Sequence, residues 1–388
     1  MKVTSLDLDQ ALQHGITIAS RLPEHAWTTQ FHPELSPVGW HIGHMVFIER
    51  YWLLEQVLGQ PLQDLEKQLY FPWLSPKSLR GGQLPCRAQH LDRLLRLHEE
   101  TVYVLNNLVA DGHSHELLRD DYLLLFLVQH HHQHNETLMQ VCQQYALQHS
   151  DPDFTPSSCP GGRDVISPSV LLESAMVTIG LLDDARAYDN EIPRHEVPVE
   201  EFSIASGPVS CAEYLGFVES AGYSRPEHWT PDGWRWLQQN NIALPGNWRR
   251  HDSGRYYIID VATGSLGPRE MSAAEPVTLL SHHEASAFAS WAGLRLPTEF
   301  EWEYSRSYKS FSEDQSNQCW EWCSNTFQPY PGFRPFPYDG YSTPWFDNRH
   351  YVLRGASRFT SDWIKRLSFR NFYTADTRHI FSGLRLAD

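Results

Sequence analysis

A run of histidines in the first half of the chain is the clearest sign of chemistry in this sequence. The segment QHHHQHNETL, residues 129–138, contains four histidines and one glutamate. Residues four apart lie on one face of an α-helix, so His130 and His134 can direct their imidazoles at a single metal ion. His131 and His132 then face other directions. A solvated, histidine-rich helix surface is the alternative interpretation of this run.

A second pair of histidines supports the metal interpretation. His41 and His44, in GWHIGHM, are three residues apart on another predicted helix, and either could supply a third ligand on spacing alone. Three neutral imidazoles without a carboxylate suit zinc or ferrous iron. Such a set leaves coordination positions open, which is typical of catalysis because structural zinc sites are usually closed by a fourth protein ligand. The spacing does not choose between the two metals.

The elements that must position these histidines are helices. Apolar residues recur at helical spacing over residues 5–21, 36–59, 87–109 and 114–149, which predicts four helices. Between the second and third, YFPWLSPKSLRGGQLP has the composition of an extended loop. We therefore expect residues 1–150 to form a four-helix bundle, a fold whose interior can hold a metal ion.

The character of the sequence changes after residue 150. Residues 151–169 are rich in Pro, Gly and Ser and predict a linker. In residues 170–388 short apolar runs alternate with turn residues, which indicates an irregular α+β domain. Only residues 281–293 of this half have a clear helical pattern.

Composition excludes several classes of function. The formal net charge of the 388 residues is -16, which argues against nucleic-acid or anionic-membrane partners. The longest apolar runs, such as YLLLFLV, are too short to cross a bilayer, and we see no signal peptide. The six cysteines are scattered, which predicts reduced thiols and a cytoplasmic location.

Motifs in both halves resemble those of the ergothioneine-biosynthesis sulfoxide synthases. SPVGWHIGHMVFIERYW and HHHQHNETLMQ resemble the DinB-like bundle of that family, and His130, His134 and Glu136 match its metal motif, H-x3-H-x-E. WAGLRLPTEFEWEY, CWEWCSNTFQPYPGF, YVLRGAS and RNFYTADTRHIFSGLRLA resemble its C-terminal domain, which has the formylglycine-generating-enzyme type of C-type-lectin-like fold. The resemblance covers nearly the whole chain.

The resemblance implies a mononuclear non-haem Fe(II) enzyme. Such an enzyme uses O2 to join a sulfur or selenium donor to C2 of the imidazole ring of hercynine, which is Nα-trimethylhistidine. Carried over by position, the iron ligands are His44, His130 and His134. His44 is preferred to His41 because relatives keep the second histidine of the WHxGH stretch more strictly.

The resemblance also suggests residues that act on the substrates. Gln133 matches a position that helps to hold hercynine, and Tyr338 matches a tyrosine that supplies a proton. Tyr341 is a nearby competitor for that role. Phe372 lies where relatives place a tryptophan close to the quaternary ammonium group, which aromatic faces recognise. Ordinary aromatic packing is the alternative for Tyr338, Tyr341 and Phe372.

The chain departs from the family pattern at the chalcogen donor. Enzymes that use γ-glutamylcysteine have an acid and an arginine where this chain has Tyr373 and Thr377, and Arg80 matches another donor-binding arginine only loosely. Losing charged anchors disfavours a multiply charged dipeptide. The segment between EFEWEYS and CWEWC is also short. These differences favour the selenoneine synthase branch, whose donor is a neutral selenosugar, over cysteine or γ-glutamylcysteine.

Three other classes of function are weighed against this one. A formylglycine-generating oxidase needs a late cysteine pair, and this chain has no cysteine after Cys323. A zinc-dependent DinB-type thiol transferase would leave the second domain unexplained. In a non-catalytic lectin-like binding module, replacing His134 by alanine should leave ligand binding untouched.

Overall fold

A computed structural model describes residues 3–110, 112–151, 153–165, 170–182, 184, 186–261, 266–306 and 317–388. The chain divides into two compact units, Met1–Gln148 with Ser361–Ile364, and His149–Thr360 with Lys365–Asp388. Residues 152 and 166–169 of the predicted linker lie outside the described residues, as do residues 307–316 of the short segment before CWEWC.

The first unit is helical, as predicted. Four long helices form it, and a short helix, α3, lies between the second and third predicted helices and ends at Tyr70, where the predicted extended loop begins. The helices are α1 (Ser5–Ser20), α2 (Val38–Arg50), α3 (Asp64–Tyr70), α4 (Arg87–Ala110) and α5 (Tyr122–His149). Helix α1 begins with a capping box in which Thr4 and Asp7 satisfy each other's backbone amides.

Helix α2 lies at the centre of this unit, since every residue from Val38 to Glu49 is buried. The sequence predicts a helix continuing to Gly59. The α-helix instead ends at Arg50 and continues as a π-helical turn, Tyr51–Val57. The helical extent is therefore close to the prediction, but the winding changes after the segment that carries the histidines.

The long helix predicted from residue 114 begins at Tyr122. A 3-10 turn, Glu116–Asp121, precedes it. Asp120 and Asp121 have φ angles of 51° and 59°, and a left-handed conformation interrupts a right-handed helix. The prediction was wrong by about two turns at this end, because the sequence pattern continues through a backbone kink.

The second unit combines small sheets with short helices, which confirms the predicted α+β class. A four-stranded sheet has the order β10-β9-β8-β11, with β11 parallel to β8 and the other pairs antiparallel. The other sheets are antiparallel: β5-β6-β7, β1-β4 and β2-β3. The strands are β1 (Val170–Leu172), β2 (Ala175–Ile179), β3 (His195–Val199), β4 (Phe202–Ile204), β5 (Trp248–Arg250), β6 (Tyr256–Asp260), β7 (Gly267–Glu270), β8 (Trp320–Thr326), β9 (His350–Gly355), β10 (Asn371–Thr374) and β11 (Ser382–Leu384).

The prediction of one clear helix in this unit was wrong. The structure has α8 (His282–Trp291) at the expected place and also α6 (Cys211–Glu219), α7 (Pro231–Asn240) and α9 (Glu299–Arg306). Helix α6 starts with a capping box of Ser210 and Glu213, and α7 starts with Thr230 followed by Pro231. Both are helix-start signals that the dense aromatic residues of this half obscured.

Buried arginine–carboxylate pairs cross-link the second unit. They join residues far apart in sequence, and in each pair at least one side chain is fully buried: Arg354–Glu303, Arg366–Glu191, Arg370–Glu299, Arg378–Glu284 and Arg385–Glu321. The strands are short, so the loops between them are held by few backbone hydrogen bonds. The arginine–carboxylate pairs connect these loops to one another.

Two further expectations concern the whole chain. All six cysteines are free thiols, which agrees with the predicted reduced state. Among the described residues, no helix combines the length and the apolar character needed to cross a membrane.

Candidate metal centre

Three of the predicted histidines meet in the interior of the first unit. His44 comes from α2, and His130 and His134 come from α5. One ring nitrogen from each lies within 4.8 Å of the other two. The imidazole centroids are 4.6 Å apart for His130 and His134, 4.8 Å for His44 and His134, and 5.1 Å for His44 and His130. The spacing of four on α5 therefore does place both rings on the side that faces α2.

The hydrogen bond of His44 fixes which of its nitrogens is free. Its Nδ1 lies 2.8 Å from the backbone carbonyl oxygen of Tyr70, the last residue of α3. A carbonyl can only accept, so Nδ1 carries the proton and donates. The Nε2 atom of His44 is then unprotonated and offers its lone pair to a metal ion.

An aromatic stack supports the His44 ring from behind. The Trp40 indole lies 4.7 Å from it at an interplanar angle of 10°, and Trp40 Nε1 donates to the carbonyl of Leu69 at 2.7 Å. The Arg80 guanidinium lies 3.8 Å from the Trp40 ring centre. Stacking and the two carbonyl acceptors together hold the orientation of the His44 ring.

Arg80 is the residue that the sequence assigns loosely to the chalcogen donor. It is 2% exposed, and it donates to the carbonyls of Ser75 and Pro72 and to the hydroxyl of Ser36. These contacts and the cation–π contact with Trp40 describe a buried structural cation. Its role in binding a donor stays a prediction.

His41, the other histidine of GWHIGHM, has a different position from His44. Its Nδ1 lies 3.0 Å from Nδ1 of His134, and His41 does not belong to the group of three. One of the two nitrogens must donate. If His134 offers Nε2 to a metal ion, its Nδ1–H donates to His41, and His41 keeps its proton on Nε2. His41 then orients a ligand rather than acting as one.

Burial keeps the imidazoles neutral. Desolvation is the main cause that lowers the pKa of His44 to about 3, and the Tyr70 carbonyl only partly opposes it. Desolvation, with smaller contributions from neighbouring imidazoles, also holds the pKa values of His130 and His134 well below the ordinary value. Neutral imidazole is the form that binds metal ions. The buried Nδ1 of His130 has no hydrogen-bond partner, so the donor set fits a divalent cation.

A second polar cluster lies beside this group, and sequence reasoning missed it. Glu49 on α2 and His131 on α5 are both fully buried, and His98 on α4 is 2% exposed. His131 Nε2 lies 2.6 Å from Glu49 Oε1, and His98 Nδ1 lies 2.8 Å from Glu49 Oε2. Burial acts to raise the pKa of Glu49, but these hydrogen bonds outweigh it and the pKa is lowered. A lone acid in the apolar run MVFIERYW was the available signal.

The remaining predicted residues of α5, Gln133 and Glu136, lie one residue before and two residues after His134 in the sequence. Glu136, the acid of the family motif, is 6% exposed. Gln133 is half-buried one residue before His134. The role of Gln133 in holding substrate stays a prediction.

The two candidate tyrosines lie in the second unit. Tyr341 stacks on Tyr188 with centroids 4.5 Å apart at 14°. The next residue, Ser342, donates from its hydroxyl to Asp189 and accepts from the Asn190 amide at 3.0 Å. Tyr338 is half-buried in the same loop. The loop is therefore anchored to the buried DNE segment, and the choice between the two tyrosines as proton donor stays a prediction.

The predicted substrate contacts of the second unit lie on β10 and after it. Phe372 stacks on Phe327 at 4.2 Å and lies 6.2 Å from the Trp345 ring. Tyr373 meets His379 edge-on at 6.1 Å. Phe372 thus belongs to an aromatic cluster with an exposed member, since Trp345 is 40% exposed. Such a cluster is compatible with packing and with a cation-binding face.

Comparison with known proteins agrees with both halves of this description. The DinB superfamily matches residues 7–138, and the sulfatase-modifying factor enzyme 1-like domain matches residues 165–314. The hercynine oxygenase of Mycolicibacterium smegmatis is 29% identical over 92% of this chain and 92% of its own. Ergothioneine biosynthesis protein 1 of Schizosaccharomyces pombe is 31% identical over 52% of this chain and 27% of its own. The hercynine oxygenase of Mycobacterium tuberculosis is 30% identical over 92% of each chain, and on this similarity the protein belongs to the hercynine oxygenase family.

Proposed function

We propose that the protein is a mononuclear non-haem Fe(II) enzyme that uses O2 to form a carbon–chalcogen bond at C2 of the imidazole of hercynine. The observation that carries this proposal is the convergence of His44, which is buried, with His130 and His134, which are half-buried. It is supported by two relatives named hercynine oxygenase, to which this chain is similar over 92% of its own length and of theirs.

The donor set suits this metal. Three neutral imidazoles do not reduce the 2+ charge of the bound ion, and they leave coordination positions open for other ligands. Fe(II), when bound, supplies those positions and the electrons that O2 chemistry requires. The chain supplies orientation: His44 is held by the Tyr70 carbonyl and His134 by His41, so neither ring has to reorganise when metal binds.

The proposed substrate contacts are the residues that match substrate-holding positions of the family. On α5, Gln133 offers an amide next to the ligand His134. In the second unit, the face of Phe372 suits a quaternary ammonium group, which has no N–H to donate. Tyr338 or Tyr341 has a hydroxyl that can donate a proton to a developing anion and be reprotonated from solvent.

For the donor we propose a neutral selenosugar. The positions that match charged anchors in γ-glutamylcysteine-using relatives are Tyr373 and Thr377, and Thr377 hydrogen-bonds to the Thr374 hydroxyl at 3.1 Å. The neighbouring Arg378 is bound to Glu284 through Nε and Nη2, both at 2.8 Å. A guanidinium already paired in this way is a poor anchor for a second carboxylate. Hydroxyl and aromatic groups are what these positions offer.

The test is a competition between donors. The Fe(II)-reconstituted protein is incubated in air with hercynine and, separately, with cysteine, γ-glutamylcysteine or a selenosugar, and the adducts are identified by mass spectrometry. We expect a C2 adduct with the selenosugar and none when O2 is removed.

Two results would contradict different parts of the proposal. Preferential coupling of cysteine or γ-glutamylcysteine would leave the hercynine oxygenase function intact and reject the selenosugar. Turnover supported by zinc alone, without O2 consumption, would reject the oxygenase function and favour a DinB-type thiol transferase. Metal analysis of the protein purified without added metal accompanies both.

A further inference from the structure

The carboxylate of Glu49 connects three helices of the first unit at one buried point. Glu49 belongs to α2, and its two oxygens accept from His131 of α5 at 2.6 Å and from His98 of α4 at 2.8 Å. His131 directly follows His130, and Glu49 lies five residues after His44. The network therefore joins the same two helices that carry the histidine group, at a different position along them.

The metal group demands more accurate helix placement than apolar packing provides. A ring nitrogen about 6 Å from a helix axis moves about 1 Å for every 10° of helix rotation. Metal–nitrogen distances tolerate only about 0.2 Å. Apolar side chains of roughly the right size fold a helix into place but specify its rotation loosely. A short polar contact between α2 and α5 specifies that rotation much more closely.

The composition of the network also points to a role beyond stability. A carboxylate with no exposed surface has lost its hydration, and hydrogen bonds only offset that loss. An apolar pair of similar volume would stabilise the bundle at least as well. Buried polar groups of this kind are best attested as devices that fix the register of packed helices.

We infer that Glu49 is a positioning residue: its hydrogen bond to His131 sets the rotation of α5 against α2, so that His130 and His134 face His44 in a geometry that binds the metal. The inference rests on the proposed function. Glu49 touches neither metal nor substrate in this role, and it acts through His131. His98 holds the second oxygen and keeps the carboxylate aimed at α5.

The same unit contains a matched control. Glu66 of α3, like Glu49, is a carboxylate bound to two side chains from other helices, Arg50 of α2 at 2.8 Å and Arg93 of α4 at 2.7 Å. It ties α2 to α4 as Glu49 does, but its partners do not include α5. A general loss of stability would follow from either substitution, whereas a loss of metal geometry should follow only from the one at Glu49.

The test measures Co(II) binding to the full chain, with Co(II) as a visible-absorbing substitute for Fe(II). We expect Glu49→Leu, which removes both acceptor oxygens, to weaken Co(II) binding by about 10- to 100-fold, the usual effect of disturbing the groups that orient metal ligands, and to change the Co(II) visible spectrum. Glu66→Leu should leave both within twofold of the unsubstituted protein. Urea unfolding of the metal-free variants reports any general destabilisation.

A second pair of variants covers the case in which Glu49→Leu does not fold. The side-chain amide of glutamine can donate from nearly the position of His131 Nε2, so His131→Gln should keep the Co(II) affinity and spectrum. His131→Leu, which fills the space without a donor, should lose them. Rescue by the glutamine variant is not expected if His131 serves only to fill the core.

The outcomes separate the inference from the proposed function. Native-like Co(II) binding by Glu49→Leu, or by His131→Leu, would overturn the inference alone, as would an equal loss in Glu66→Leu. Native-like Co(II) binding by His134→Ala would show that the histidine group is not the metal site, and the proposed function would fail with it.

Discussion

The first unit buries imidazoles where the second unit buries guanidinium groups. On α2 and α5, the buried polar side chains include the histidines His41, His44 and His131, together with glutamates and glutamines. In the second unit the buried polar side chains include arginines paired with acids, as in Arg385 with Glu321, where neither side chain is exposed. Both interiors are polar, but their groups can do different things.

The difference teaches how the two units divide their work. An imidazole that burial keeps neutral has a lone pair to offer, so a cluster of them is ready to bind a cation. A guanidinium keeps its protons at any physiological pH and has no lone pair to offer. Glu299 raises the pKa of Arg370 further, although burial alone would lower it. The histidines of the first unit can therefore bind a cation, whereas the arginines of the second unit can only form ion pairs and hydrogen bonds that hold the fold together.

The largest effect that would sharpen this comparison is the loss of metal from the first unit. We expect His134→Ala to lose bound iron and adduct formation to background, because two imidazoles remain of the three. Iron is measured by mass spectrometry of the purified, reconstituted protein. His132→Ala is the control, since His132 is half-buried on the same helix but outside the group. Equal iron contents in the two variants would break the comparison.

The next effect concerns the cross-links of the second unit. Glu321→Gln leaves the fully buried Arg385 guanidinium without its counter-charge, and we expect a loss of about 3–5 kcal/mol in the free energy of unfolding. The iron content of the folded protein should not change. Asp232→Asn removes an exposed pair, in which the Asp232 side chain is 80% exposed, and should cost less than about 1 kcal/mol. Urea unfolding measures both, and similar losses would show that burial does not decide the energy.

A buried acid without an arginine gives a third, pH-dependent effect. Burial raises the pKa of Asp189 from 3.8 to about 6, and the Ser342 hydroxyl only partly opposes this. The folded chain therefore holds a proton that the unfolded chain has lost. The associated stability is present below pH 3.8 and is lost as the pH rises through about 6.

The measurement for Asp189 is the unfolding free energy between pH 4 and 7. We expect a decrease of up to about 3 kcal/mol from this group across that window. The Asp189→Asn variant, whose amide can still accept from Ser342, should lack this part of the pH dependence. Identical pH profiles for the two proteins would mean that another group is responsible.

The smallest effect tests the orientation of the ligands. His41→Phe keeps the ring volume but removes the partner of His134 Nδ1, and we expect metal affinity to fall about 10- to 100-fold. Equilibrium titration with Co(II) measures it. An unchanged affinity would indicate that packing alone orients His134.

Part of the candidate site could be predicted from the sequence, because the spacing of residues on a helix determines which side chains share a face. The spacing of four brought His130 and His134 to one face, and the structure places His44 beside them. Spacing could not separate His41 from His44, because both turn toward α5 from α2. What distinguishes them is a hydrogen-bond partner, and for His44 that partner is a backbone carbonyl. Every residue has a carbonyl, so such a partner leaves no trace in residue types.

The fold was predicted unevenly for a similar reason. The long helices of the first unit have many repeats of an apolar pattern, whereas α6, α7 and α9 have two or three turns each and lie among tryptophans and tyrosines that pack on every side. Glu49 was missed because one acid in an apolar run gives no spacing to measure. Its meaning depends on His98 and His131, which approach it from other helices.

The connection from α3 to Arg80 has a practical consequence for protein engineering. Its main-chain carbonyls at Leu69 and Tyr70 accept from Trp40 and His44. Connections between helices are the usual places for inserted tags or grafted loops. Added length here would move the acceptors that hold the His44 ring, although no side chain of the site would be altered. We therefore expect an insertion in this connection to disturb the histidine group, even though the connection is not itself part of that group.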